Sequence, residues 1–473
     1  MPAFISTIHR HAPRDKKQAI ADAWARSRTR PSWGVKTFAS IVDQTLTSSA
    51  NFGVSILAAR WMSTTEYGAF AVAFASYLFL AGFHNALLLE PTSVIGPARH
   101  PAHLLRYFAA QLRLHSLLVW PLTAAALLAA LFLHYISSGS ELISALVGGG
   151  LSLPFLLLLW LARRFCYVLQ SPSTAVFGSA ACLALSLLSI SLLRLFGQAT
   201  PASAFESLGF GSLCGACLII WLTGIHKKNL RAQAVSSGLV LRENWGYGRW
   251  LVGSALFYAI YTSTQTFYLA GKLGLADAGV LRAMQVPSLV MTQIIAAIGL
   301  LVLPSLAFDF GRGSHSQLRR KAKLVSLVLG CAALLFAGLL LIAKGSVENL
   351  LYLGKYALFS QIIPVLALIP AANGLCAGYS MALRASHKPH FDFLANACGA
   401  LVAVVATPPL VRSSGVLGAA IAMVLSFIAV NLTTLIFFWR TEADTKEGDQ
   451  VAKLVVGPAP TSESPVVMVD DHV

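Results

Sequence analysis

Apolar runs of about twenty residues recur along the chain with short polar stretches between them, a spacing that predicts membrane-spanning helices. Twelve spans are read. Six begin near Val35, Tyr67, Tyr107, Glu141, Pro172 and Ala202, and six near Trp250, Gly279, Ala322, Ala357, Phe391 and Val416. The expected fold class is an all-α polytopic membrane protein. The first span stands apart. Asp43, Thr47, Asn51 and Ser55 recur every four residues along one helical face, Gln44 and Ser48 widen it, and the remainder is almost entirely apolar. A carboxylate inside a membrane helix costs roughly 2.5–3.5 kcal/mol on insertion scales, so this seam should face a bundle interior or a wet cavity rather than lipid.

The two halves repeat. At an offset of 211, Asp43, Thr47, Asn51 and Ser55 fall on Ser254, Tyr258, Thr262 and Thr266, while Glu66 and Gly68 fall on Asp277 and Gly279. At 213, Pro91, Arg99 and Arg106 fall on Pro304, Arg312 and Arg319; at 217, Gln170-Ser171-Pro172 falls on His387-Lys388-Pro389. Six spans per half is an even number, so both halves share one orientation about a pseudo-two-fold axis along the membrane normal. The expected division is a basic tail (1–34), a first lobe (35–225), a linker (226–248), a second lobe (249–440) and a disordered polar tail (441–473). Two like-oriented lobes meeting at a polar seam suggest alternating access, with the site between them and the first and seventh spans along its walls.

Composition adds orientation. The chain has 473 residues, 56% hydrophobic and 11% charged, with a net charge of +16. Of its 35 Lys and Arg, 27 fall in the tails and alternate loops of one side and six on the other, leaving Arg113 and Arg282 inside spans. By the positive-inside rule both termini are expected in the cytoplasm, and the basic charge then faces an anionic leaflet of membrane lipids, with no nucleic-acid partner required. The first 36 residues have no signal-peptide core, so the first span is expected to act as an uncleaved insertion signal. All seven cysteines lie in apolar segments, which argues against disulfides, and Cys214-x-x-Cys217 reads as small packing residues. No P-loop, nucleophile motif or metal-ligand set is found. The chain reads as a non-enzyme with no cofactor, driven by an ion or substrate gradient.

The stretch DQTLTSSANFGVSILAARWMSTTEYGAF, with its polar start, Asn-Phe pair, Ala-Arg and Tyr-Gly, resembles the first-span signature of bacterial polysaccharide exporters and O-antigen flippases. These belong to the multidrug/oligosaccharidyl-lipid/polysaccharide (MOP) superfamily, and the resemblance extends diffusely over nearly all twelve spans. It implies a V-shaped pair of six-helix lobes around a central cavity. It also implies transport of a polyprenyl-diphosphate-linked oligosaccharide across the bacterial inner membrane, alongside polysaccharide polymerase or assembly proteins. The alternatives are a cation-coupled multidrug exporter of the same superfamily and a membrane polysaccharide polymerase or ligase. The last would need a substantial outer loop, which the chain lacks.

Such a substrate calls for Arg at the diphosphate and for Asn, Gln and hydroxyl side chains at the sugars. The cavity candidates are accordingly Asp43, Asn51, Arg113, Gln265, Arg282 and Gln285, with Gln293 on the same wall. Asp43 either binds a coupling ion, orients a cavity arginine or caps a tilted helix. Arg113 and Arg282 either hold the diphosphate or snorkel. Asn51 and the glutamines meet either the glycan or a neighbouring helix. Glu90 with Arg99 or Arg106 is a candidate gate pair. Arg60 reads as snorkelling to the headgroups, His84 as a lone packing histidine, Asn396 and Asn431 as helix-to-helix ties, and Asn373-Gly374 after Pro364 and Pro370 as a hinge.

Overall fold

The computed structural model describes residues 33–136, 139–225, 235–311, 315–386 and 390–455. The basic tail before Trp33 and residues 456–473 lie outside them. Every regular element among the described residues is helical. The first lobe holds α1 (Trp33–Trp61), α2 (Thr64–Arg99), α3 (Leu104–Ile136), α4 (Ser140–Val168), α5 (Pro172–Leu195) and α6 (Pro201–Thr223). The second holds α7 (Ser237–Lys272), α8 (Leu275–Gly311), α9 (His315–Tyr352) and α10 (Ile362–Ala385). It ends in the run His390–Val455, which Gly415 breaks at φ 56° into α11 (390–414) and α12 (416–455). Left-handed backbone favours glycine at that break. A helix stands at each of the twelve expected spans.

Local chemistry sets the boundaries. Ser63 and Glu66 cap α2 reciprocally: the Ser63 hydroxyl accepts from the Glu66 N–H at 3.1 Å, and the Glu66 carboxylate accepts from the Ser63 N–H at 2.7 Å. Pro172 and Pro201 open α5 and α6 in the first turn, where the missing N–H costs nothing. Two boundaries differ from expectation. Part of the expected linker is helix, because α7 begins at Ser237 and its first turns pack on α2 and α3. The expected tail also begins as helix, because α12 continues to Val455.

Nine stretches among the described residues are long and apolar enough to cross a membrane, the last (Phe391–Arg440) comprising two spans; α1 and α7 are not among them. The two seam-bearing helices are thus the least lipid-like. Each ties one seam residue into its own lobe. In the first lobe Ser179 of α5 donates to the Asp43 carboxylate; in the second, Asn396 of α11 donates to Ser254 at 3.0 Å. Asp43 and Ser254 are equivalent at offset 211, and Ser179 and Asn396 at 217, so the duplication read in the sequence reappears as an equivalent α1–α5 and α7–α11 tie.

The lobes meet closely at the end of the molecule away from the chain termini, here the distal end. There α2 crosses α8 at Gly68 and Gly279. A Cβ on Gly68 would stand 1.7 Å from the Leu275 carbonyl oxygen, and one on Gly279 would stand 2.7 Å from that of Thr64. Thr64 and Leu275 are themselves equivalent at offset 211, so the crossing lies on the pseudo-two-fold axis. Close backbone approach through small residues is a characteristic membrane-helix contact.

Candidate functional site: the interface between the lobes

Around Arg282 the interface is formed by α1 and α2 on one side and α8 on the other, while α7 packs on α2 and α3 towards the termini end. On α8, Arg282, Gln285 and Gln293 share one face. Gln293 accepts from Gln44 of α1 at 3.2 Å, the polar contact between those helices nearest the termini end. Asn51 lies two turns further along the same α1 face, partly buried, and donates to the Thr47 carbonyl at 3.3 Å. Ser55 and the Tyr67 hydroxyl are 2.8 Å apart, and the Tyr67 phenol lies against Arg282.

Arg282 occupies the apex of this interface. Its guanidinium stacks over the Phe74 ring of α2 at 4.8 Å and donates to Gln285 at 3.1 Å. Its Nε is buried without a hydrogen-bond partner among the described residues. Tyr352 buttresses the same turn by donating to the Ala283 carbonyl at 2.7 Å. Gln285 also donates to the Met423 sulfur at 3.6 Å. A cation with spare donor capacity therefore sits where the lobes converge.

Asp43 is placed elsewhere. Its side chain is fully buried inside the first lobe and does not line the space between lobes. Arg163 of α4 grips it through Nε at 3.1 Å and Nη2 at 2.8 Å, and Ser179 and Tyr167 also donate to it. Asp43 thus orients an arginine, but one buried inside the first lobe and not a cavity arginine. Arg163 also donates to Gln44 at 3.1 Å, so the ion pair is linked through Gln44 to Gln293 of the other lobe. Arg163 was missed because its position assigned it to a basic loop. The signal that could have found it is its placement five residues before the end of an apolar run.

Other expectations change as well. Arg113 projects from α3 on an exposed face that also carries Leu117, Trp120 and Leu128, and is not part of the Arg282 cluster. Gln265 is fully buried within the second lobe, with both amide atoms unpartnered among the described residues. The gate pairing is different too: Glu90 lies 3.7 Å from Arg164, while Arg99 bonds Glu243 of α7 at 2.9 Å, and His100 bonds the same carboxylate at 3.0 Å. Arg106 makes no ion pair among the described residues. Its side chain is partly buried beside Pro101–Leu105. Asn431 donates to Asn373 at 2.8 Å, a tie between α12 and α10 as expected.

Arg60 does not snorkel. It donates to the Leu350 and Leu351 carbonyls at the end of α9, while Lys355, just beyond α9, donates to the Met62 carbonyl and, at 2.8 Å, to Ala59 at the end of α1. Each lobe thus places a cation on the unsatisfied carbonyls of a helix C-terminus in the other, where the helix dipole favours positive charge. With the Gly68–Gly279 crossing, this closes the distal end.

No family model matches the sequence, and no curated protein matches it. Solved structures do. An inward-facing multidrug-resistance transporter of the MATE family, MOP superfamily, superposes with a TM-score of 0.72 at 12% identity, over 86% of this chain and 99% of that one. The outward-facing conformation of such a transporter superposes with a TM-score of 0.64 at 10% identity, over 87% and 96%. The lipid II flippase MurJ in an inward closed conformation gives 0.62 at 14% identity, over 85% and 87%. Identities this low carry the fold alone: the chain has the two-lobed, twelve-helix fold of the MOP-superfamily transporters.

Proposed function

We propose that this chain is an alternating-access flippase moving a polyprenyl-diphosphate-linked oligosaccharide from the cytoplasmic to the periplasmic leaflet of the bacterial inner membrane, for O-antigen, capsule or exopolysaccharide synthesis. Both termini lie in the cytoplasm in this reading, so the distal end is periplasmic. The observation that carries it is the charge of the interface. Arg282 stands between the lobes with an unpartnered donor, whereas the buried carboxylates Asp43 and Glu348 are bound elsewhere: Asp43 to Arg163 inside the first lobe, and Glu348 of α9 to the Tyr356 N–H. A cationic interface with Gln and Asn along its walls suits a diphosphate and sugar hydroxyls, while the polyprenyl tail stays in lipid. Polymerase and assembly proteins are the expected partners, receiving the flipped lipid.

The multidrug alternative has its own support in the similarity to MATE transporters. The two predict opposite ligand charge. Purified protein should bind a polyprenyl-diphosphate lipid in preference to cationic dyes, and Arg282→Ala should lose that binding. Deletion of the gene should leave lipid-linked glycan accumulated on the cytoplasmic side with loss of surface polymer. Preference for the dyes would transfer the assignment to the exporter.

A further inference from the structure

His84, expected to be alone, is not. Its Nε2 lies 3.0 Å from Nδ1 of His115 on α3, and both rings are buried, His84 completely. With His84 donating from Nε2 to Nδ1 of His115, the Nδ1 of His84 keeps a lone pair. That Nδ1 is buried with no partner among the described residues. Immediately after His84, α2 passes through a π turn, Asn85–Leu89, a form that concentrates at functional positions.

We propose that the His84–His115 pair is a proton-binding site, with the Nδ1 lone pair of His84 as acceptor, and that its occupancy sets the register of α2 at the π turn. The proton is taken from water and adds to that lone pair with no bond broken. The inference takes its transport meaning from the carrier reading above, where it makes the proton the coupling ion.

The surroundings leave the incoming charge uncompensated. From α4, Arg164 is committed to Asn85, Ser93 and Glu90. From α7, Glu243 is committed to Arg99 and His100, and Tyr247 lies in the field of Glu90. On α3, Gln111 and Tyr107 bond Asn244, and Arg113 leaves by the opposite face. On α2 itself Glu90 lies beyond the π turn. An imidazolium enclosed here costs several kcal/mol unless an acceptor or water reaches it. Moving one residue through the π turn rotates the segment beyond it by about 100° relative to the segment before, which redirects Asn85 and Glu90 and admits water. Proton binding and the register of α2 are then thermodynamically linked.

The test uses the full chain in lipid nanodiscs and no transported substrate, so its failure is separable from failure of the flippase reading. Proton uptake on a drop from about pH 8 to pH 4 is measured in weakly buffered medium for the wild type, His84→Gln, His115→Gln and the double variant. Amide exchange of the peptide spanning 85–89 is followed by mass spectrometry at both pH values and corrected for intrinsic rates. The wild type should take up about one proton more than either single variant, with the double variant losing no more than the singles. Exchange across the π turn should rise about tenfold at low pH in the wild type only. Equal uptake by folded wild type and His84→Gln overturns the proposal. So does wild-type exchange that ignores pH, a result that stands even if the variants do not fold.

Discussion

At the scale of single residues, the polar seam of α1 was legible and its direction was not. Spacing by four says that Asp43 and Thr47 share a face; it does not say which neighbour that face meets, and Arg163 and Ser179 are more than a hundred positions away in the chain. Removing one partner of a buried ion pair leaves an uncompensated charge, at about 3–5 kcal/mol. Asp43→Asn should therefore lower the melting temperature sharply. Asp43→Leu combined with Arg163→Met should recover most of the loss, and thermal unfolding in detergent reads both. The two span arginines separate in the same way. Arg282→Ala should impair surface-polymer export at unchanged protein level, because its guanidinium lies between the lobes. Arg113→Ala should leave export intact, because it shares a face with Leu117 and Trp120. Quantifying polymer against immunoblotted protein in the two strains tests this, and equal defects would place Arg113 back in the pathway.

At the scale of elements, the nine stretches of the described residues that are apolar and long enough to cross a membrane were readable because apolar length has one physical cause, the thickness of the bilayer. What hydropathy could not report was how α7 begins. Its first turns are polar enough to read as a linker, yet Asn244 donates to Gln111 at 3.1 Å, and a Cβ on Gly248 would stand 2.5 Å from the Ala86 carbonyl oxygen. Those turns fasten α7 to α2 and α3 at the termini end, helped by Arg99 and His100 on Glu243. Burial alone would raise the pKa of Glu243, but hydrogen bonds from His100 and Arg99, and their charges, outweigh it and hold the carboxyl below its usual range. A carboxylate with a depressed folded pKa adds stability above its unfolded value, near about 4.3, and that stability is lost as pH falls through the lower folded value. The α2–α7 contact should accordingly loosen on acidification below about pH 4.5. Glu243→Gln should remove that acid-side step from the melting-temperature profile while costing stability at neutral pH.

At the scale of the whole molecule, the duplication was visible in the sequence as three drifting offsets, and it explains why one crossing, Gly68 on Gly279, can sit on the symmetry axis. The reciprocal capping by Arg60 and Lys355 does not follow from the repeat, since α1 and α9 are not equivalent helices; it had to be seen. Its energetics bound what it can do. A cation on partly buried C-terminal carbonyls contributes up to about 2 kcal/mol, so the two together approach about 4. Driving a two-state equilibrium from one side fully to the other takes about 5.5 kcal/mol. The capping pair therefore biases the closed distal end without sealing it, as the proposed alternating access requires, and the glycine crossing supplies further closure through backbone contact. Lys355→Ala with Arg60→Ala should shift the population toward an open distal end by about two to three powers of ten. Spin labels on α1 and α9 near their distal ends would report this as a second, longer distance in pulsed electron resonance. Either single variant should produce a smaller fraction of the same long distance, since each removes one of the two caps. Gly68→Ala should yield that distance too, by forcing α2 from α8 while leaving both cations in place. If the double variant kept the short distance alone, the capping would be incidental and closure would rest on the glycine crossing.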